Sequence, residues 1–119
     1  MTLSMAGPRF GFRALFYWQP VIYSKSPLTA LERNFPGSRA RQEFFTGTYK
    51  RIASVAQSAG INDISGILDN DRGQTYFIDP WHITEAGNDI VARRMAADAE
   101  PILDQVAQAR RQTQAPSAH

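Results

Sequence analysis

Two side chains able to hold and move a proton stand three positions apart in this chain, Asp79 and His82, within the stretch Tyr76-Phe77-Ile78-Asp79-Pro80-Trp81-His82-Ile83-Thr84-Glu85-Ala86-Gly87-Asn88. A carboxylate that near an imidazole accepts a hydrogen bond from Nδ1–H. This fixes the tautomer and leaves Nε2 as a base, the arrangement of the lower two members of a Ser-His-Asp triad. Each residue also has a plainer reading. His82 can simply hydrogen-bond at a helix start, and Asp79 can be the turn-forming residue before Pro80. Trp81 reads as packing rather than as a pocket wall, and Gly87 as a position where a helix start comes close to its surroundings or merely tolerates a glycine. A metal site built on Asp79, His82 and His119 is a poor alternative, because His119 sits in a polar tail and zinc wants three or four protein ligands. No metal or cofactor is expected.

The elements that must position this pair can be read from periodicity and punctuation. Thr84 is placed to cap the helix that follows, with Glu85 near its positive end. Ile90, Val91, Met95 and Ala99 give that helix an apolar side, and Ile102, Leu103 and Val106 continue it. Pro101 lacks the N–H that would reach residue 97, so the helix is expected to end, kink or restart there. Upstream, Arg39 to Ala59 is the clearest helix. Phe45, Tyr49, Ile52, Ala56 and Ala59 recur at helical spacing, Ser38 reads as its cap and Gly60 as the C′ glycine that ends it. Phe44, Phe45 and Tyr49 read as core aromatics, and Gly47 as a weak point inside the helix.

Phe12 to Trp18 is almost continuously apolar, which predicts the most buried strand of the fold, covered on both faces as in a parallel sheet and stopped by Pro20. Thr29 and Glu32 have capping-box spacing in the loop beyond it. Ile61 to Leu68 reads as a short strand running into a polar turn at Asp69 to Gln74, with Thr75 to Ile78 a brief apolar run into the Asp79 loop. Met1 to Phe10 reads as irregular. Strand, helix, short strand, helix is an α/β pattern. A strand as apolar as Phe12–Trp18 needs more neighbours than one weak strand, so the chain is expected to be the C-terminal part of a larger three-layer α/β domain with an incomplete parallel sheet. That domain portion is assigned to residues 1–109, and 110–119 to a disordered polar tail.

Composition narrows the function classes. With 119 residues, 43% of them hydrophobic and 20% charged, the chain suits one small domain with a core and not a disordered polymer. The net charge of +2 comes from scattered arginines, which reads as a solvated surface and not as a nucleic-acid footprint. The absence of cysteine excludes a disulfide framework, a thiolate nucleophile and thiolate metal ligands. No apolar run approaches the length of a membrane span, and Met1 to Arg9 shows no signal-peptide core, so the default expectation is a cytoplasmic protein.

The Asp79 block resembles the terminal block of the SGNH (GDSL-like) esterase and lipase family: an Asp-x-x-His pair, matched by Asp79 and His82, then Gly-Asn, matched by Gly87 and Asn88, then an apolar helix. Phe16-Tyr17-Trp18-Gln19-Pro20, Lys25-Ser26-Pro27-Leu28-Thr29 with Glu32, and Asn62-Asp63-Ile64-Ser65 resemble segments that precede that block in bacterial members. The resemblance runs from about Phe10 to Val106 and covers only the C-terminal half of such a domain. It implies part of a flavodoxin-like α/β/α domain, a small-molecule ester as substrate once a full domain is assembled, and catalytic roles for Asp79 and His82. It also implies a Gly-Asp-Ser nucleophile motif, which this sequence lacks. Gly60-Ile61-Asn62-Asp63 spells the family's Gly-x-Asn-Asp but sits too near Asp79, and reads as a helix-ending glycine. None of Ser4, Ser24, Ser26, Ser38, Ser54, Ser58, Ser65 and Ser117 has a strand-to-helix nucleophile setting. Two functions follow: a serine ester hydrolase represented by its Asp/His half, or a non-catalytic α/β remnant acting as a binding or interaction module.

Overall fold

A computed structural model describes residues 12–69 and 73–114. The expectations for Met1–Phe10, for Asn70 and Asp71 in the polar turn, and for residues 115–119 of the tail lie outside the described residues, as do Ser4, Ser117 and His119. Strand β1 (Phe16–Trp18), helix α1 (Arg39–Ala59), strand β2 (Ile61–Asp63) and helix α2 (Glu85–Gln114) follow one another, with two 3₁₀ turns between β1 and α1 at Ile22–Ser24 and Glu32–Asn34. The protein is thus a small α/β fold. β1 and β2 pair in parallel with Phe16 opposite Ile61, Tyr17 opposite Asn62 and Trp18 opposite Asp63, and the Ile64 N–H extends the pairing to the Trp18 carbonyl at 3.1 Å.

Helix α1 has the limits its sequence dictates. The Ser38 hydroxyl accepts from the Arg41 N–H, and Gly60 takes a left-handed conformation at φ 73° that closes the last turn. Its Ala56 is buried and Phe45, Tyr49, Ile52 and Ala59 are half-buried, so the expected stripe does face the body of the fold, whereas Phe44, read as core, is 65% exposed. Phe44 and Phe45 are adjacent, about 100° apart around the helix, and only one of them can point inward.

Two expectations need correction. The run Phe12–Trp18 does not form a strand buried on both faces: only Phe16–Trp18 is in the sheet and half-buried, while Phe12 and Leu15 are 50% and 37% exposed. Among the described residues its one partner strand is β2, three residues long, which pairs only with Phe16–Trp18. Of the outcomes expected at Pro101, an end to the helix does not occur, because α2 runs through it. It continues as one helix to Gln114, taking in the first residues of the stretch expected to be a tail. A single missing N–H leaves the flanking hydrogen bonds of a long helix in place.

The core lies beside the sheet, where the loops converge. Ile22, Leu68, Tyr76 and Phe77 form its buried centre, with Tyr23, Leu28, Phe35, Ile67, Ile83 and Ile90 packed around them. Inside this apolar cluster sits an ion pair, Lys25 Nζ to Glu32 Oε2 at 2.7 Å, with both side chains essentially inaccessible. The Thr29–Glu32 capping box forms as its spacing requires: the Thr29 N–H donates to Glu32 Oε2 at 2.9 Å, and the Glu32 N–H donates to Thr29 Oγ1 at 3.3 Å.

Candidate functional site

The segment between the core and α2 closes on itself. Phe77 and Ile83 form an isolated antiparallel bridge, the Ile78 N–H donates to the His82 carbonyl at 3.0 Å, and the Thr84 N–H donates to the Tyr76 carbonyl at 2.7 Å. Asp79, Pro80, Trp81 and His82 form the tip of the loop this makes. One root is held by α2. The Gly87 N–H donates to Thr84 Oγ1 at 3.3 Å, and Gly87 is buried so closely that a Cβ there would lie 3.2 Å from Ile83 Cβ and 3.5 Å from the Tyr76 carbonyl oxygen. Close approach is therefore the reason for glycine at this position. From the other side the Ile22 N–H donates to the Pro80 carbonyl at 3.2 Å, and Trp81 packs its ring on Phe45 of α1 and on Tyr23, with centroids 4.7 and 5.6 Å apart. Packing is thus a demonstrated role for Trp81.

Asp79 and His82 come together as their spacing predicts. Asp79 Oδ2 lies 2.6 Å from His82 Nδ1, while Oδ1 accepts from the backbone N–H groups of Trp81 at 2.7 Å and His82 at 2.8 Å. The Trp81 N–H, then the imidazole and N–H of His82, hold the Asp79 carboxyl down to about 2. A carboxylate only accepts hydrogen bonds, so Nδ1 carries the proton at this contact, which in the neutral ring puts the lone pair on Nε2. The His82 side chain is 72% exposed, and no hydrogen-bond partner of Nε2 occurs among the described residues. His82 lines a cleft of about 450 Å³ between the end of β1 (Gln19, Pro20), the loop (Trp81, Ile83) and the first turns of α2 (Asn88, Val91). The arrangement can take a proton at Nε2 from a group in that cleft and stabilise the resulting imidazolium through Asp79.

Four of the candidate serines are engaged elsewhere. Ser38 caps α1, Ser54 Oγ donates to the Arg51 carbonyl, Ser58 Oγ to the Val55 carbonyl, and Ser24 Oγ to the Ser65 carbonyl at 2.7 Å. No hydrogen bond joins a serine hydroxyl to His82 among the described residues. The Gly60 N–H donates to the end of α1, and Asn62 lies within β2, so the Gly60–Asp63 tetrapeptide serves as a helix stop and strand. Among the described residues no three His, Cys, Asp or Glu side chains group to hold a metal ion, and no helix is long and apolar enough to cross a membrane.

Sequence reasoning missed the role of Glu32. Its Oε1 accepts from the Tyr76 N–H at 2.8 Å and the Phe77 N–H at 3.2 Å, at the root of the Asp79–His82 loop. Burial pushes its carboxyl up, but the Lys25 ammonium and the N–H groups of Thr29, Tyr76 and Phe77 outweigh this and hold it below the ordinary glutamate range. The capping-box spacing accounts for the contact with Thr29. Nothing local in sequence points across the 44 positions to Tyr76. Comparison of the chain with protein-family models, with curated proteins and with solved structures gives no match.

Proposed function

We propose that Asp79 and His82 are the orienting acid and the general base of a serine ester hydrolase of SGNH type, whose nucleophile and oxyanion donors come from sequence outside this chain. The observation that carries the reading is the 2.6 Å contact between Asp79 Oδ2 and His82 Nδ1, with His82 at the edge of a cleft. In the reaction, the serine Oγ attacks the ester carbonyl as Nε2 takes its proton. The imidazolium, stabilised by Asp79, returns that proton to the leaving alcohol, and water repeats the cycle on the acyl-enzyme. The resemblance of the Asp79–Asn88 block to that family supports the same roles.

The test has two arms. The purified chain alone should hydrolyse a short-chain aryl ester no faster than its His82→Ala variant, because the loss of the nucleophile costs about as much as the loss of the whole triad, on the order of a million-fold. Saturable turnover lost in that variant would place the nucleophile within the chain, with Ser65 the first to replace. Translating the coding sequence upstream of Met1 and joining any Gly-Asp-Ser segment to the chain should restore hydrolysis that depends on both His82 and the new serine. A joined domain with no such dependence would leave the alternative, a non-catalytic binding module.

A further inference from the structure

We infer that Glu32 is a positioning residue for the Asp79–His82 pair: its buried carboxylate, anchored by Lys25, fixes the backbone from which the loop springs. The anchoring half of the carboxylate is Oε2, which accepts from Lys25 Nζ at 2.7 Å and from the Thr29 N–H at 2.9 Å. Lys25 is held in turn, since its Nζ also donates to the Pro27 carbonyl at 3.0 Å. The positioning half is Oε1, which takes the N–H groups of two consecutive residues, Tyr76 at 2.8 Å and Phe77 at 3.2 Å.

Those two residues are the ones that close the loop on their other side. The Tyr76 carbonyl accepts from the Thr84 N–H at 2.7 Å, and Phe77 bridges to Ile83. Both strands of the loop root are therefore referred to one carboxylate, with Asp79 two residues beyond Phe77 and His82 one residue before Ile83. Glu32 has no accessible surface. A buried ion pair is weak evidence for stability, because apolar residues of the same volume often do as well. Only an acceptor with four simultaneous donors can both satisfy two adjacent buried N–H groups and be held from behind. Shifting the root would move Asp79 Oδ2 away from His82 Nδ1, and with it the preference for the Nδ1–H tautomer. As a statement about catalysis this rests on the reading of Asp79 and His82 given above; as a statement about geometry it does not.

The experiment reads the tautomer directly. The chain has two histidines, so a His119→Gln background leaves His82 as the only imidazole. Long-range proton–nitrogen NMR in mildly alkaline buffer then gives the ratio of Nδ1–H to Nε2–H forms. Glu32→Asp keeps the charge for Lys25 but is one methylene too short to reach Tyr76 and Phe77 as well, and the ratio should fall about fivefold, the net worth of one hydrogen bond. The double variant Glu32→Gln/Lys25→Met keeps a carbonyl oxygen for the two N–H groups but removes the Lys25 anchor and turns an N–H₂ toward the Thr29 N–H; the ratio should fall here too, by at least about twofold. Ile64→Ala, a core truncation away from the loop, should lower the unfolding temperature and leave the ratio alone. An unchanged ratio in Glu32→Asp, an unchanged ratio in the folded double variant, or an equal fall in Ile64→Ala would overturn the inference. Because the readout uses no ester and no nucleophile, its failure is separate from failure of the hydrolase reading.

Discussion

An exposed carboxylate beside an exposed imidazole ordinarily gains little, because water competes for both groups. Asp79 is held by more than the pair. The Trp81 N–H contributes first to its low pKa, so the turn fixes the carboxylate and the carboxylate fixes the ring. The sign of the pH dependence follows. A carboxyl lowered to about 2 in the fold and near 4 in the unfolded chain contributes stability above about pH 4 that is lost as pH falls through 2. The difference in unfolding free energy between the parent and Asp79→Asn should therefore shrink as the pH falls from about 4 to 2, measured by denaturant titration at each pH. Asp79→Asn should also invert the His82 tautomer, since an amide N–H₂ facing Nδ1 makes that nitrogen the acceptor and moves the proton to Nε2. NMR of His82 would show the inversion, and an unchanged Nδ1–H form would mean that the backbone alone orients the ring.

At the scale of elements, two glycines in one stretch predict opposite outcomes. Gly47 lies exposed inside α1 with nothing within 4 Å of an added Cβ, so Gly47→Ala should stabilise the protein by about 0.5–1 kcal/mol. Gly60 sits at φ 73°, so Gly60→Ala should cost about 1–2 kcal/mol. Thermal melts of the two variants would move to opposite sides of the parent. In α2, Pro101→Ala should restore the missing hydrogen bond to Ala97 and slow amide exchange over residues 101–106, an effect of up to about 3 kcal/mol on the distal turns. These elements were legible where a punctuating residue carried the information: Ser38 and Gly60 for α1, Thr84 for the start of α2. The strand was legible only as an apolar run. Phe12 and Leu15 match the composition of Phe16–Trp18, and what separates them is whether a partner strand reaches them, which no local pattern contains. At the site, the Asp79–His82 contact was legible because two residues three positions apart in a turn are near one another. Glu32 was not, because its partners are distant in sequence and a buried glutamate breaks the expectation that charges face water.

For the molecule as a whole, the radius of gyration is 19.1 Å, against roughly 13–14 Å for a compact domain of this length. Helix α2 contributes to this elongation: it is about 45 Å long at 1.5 Å per residue, and its distal half carries Leu103 at 66% exposure. Folding free energy must then come from a small fraction of the chain, centred on Ile22, Leu68, Tyr76 and Phe77. This concentration makes a sharp prediction. Phe77 has no accessible surface, and Phe77→Ala removes a whole ring from the centre of that cluster at a cost of about 3–5 kcal/mol. Ordinary domains hold only about 5–15 kcal/mol in total, and a core this small belongs at the lower end, so the variant should be largely unfolded at room temperature. Leu103→Ala deletes a side chain of similar hydrophobicity that is mostly in water, and should shift stability by no more than about 0.5 kcal/mol. Urea titrations followed by circular dichroism would compare them. Near-equal midpoints for Phe77→Ala and the parent would mean that the loop cluster is not what holds the fold. Unfolding of Phe77→Ala would take the site with it, because the segment that anchors the core also carries the N–H and the bridge to Ile83 that set the Asp79–His82 loop.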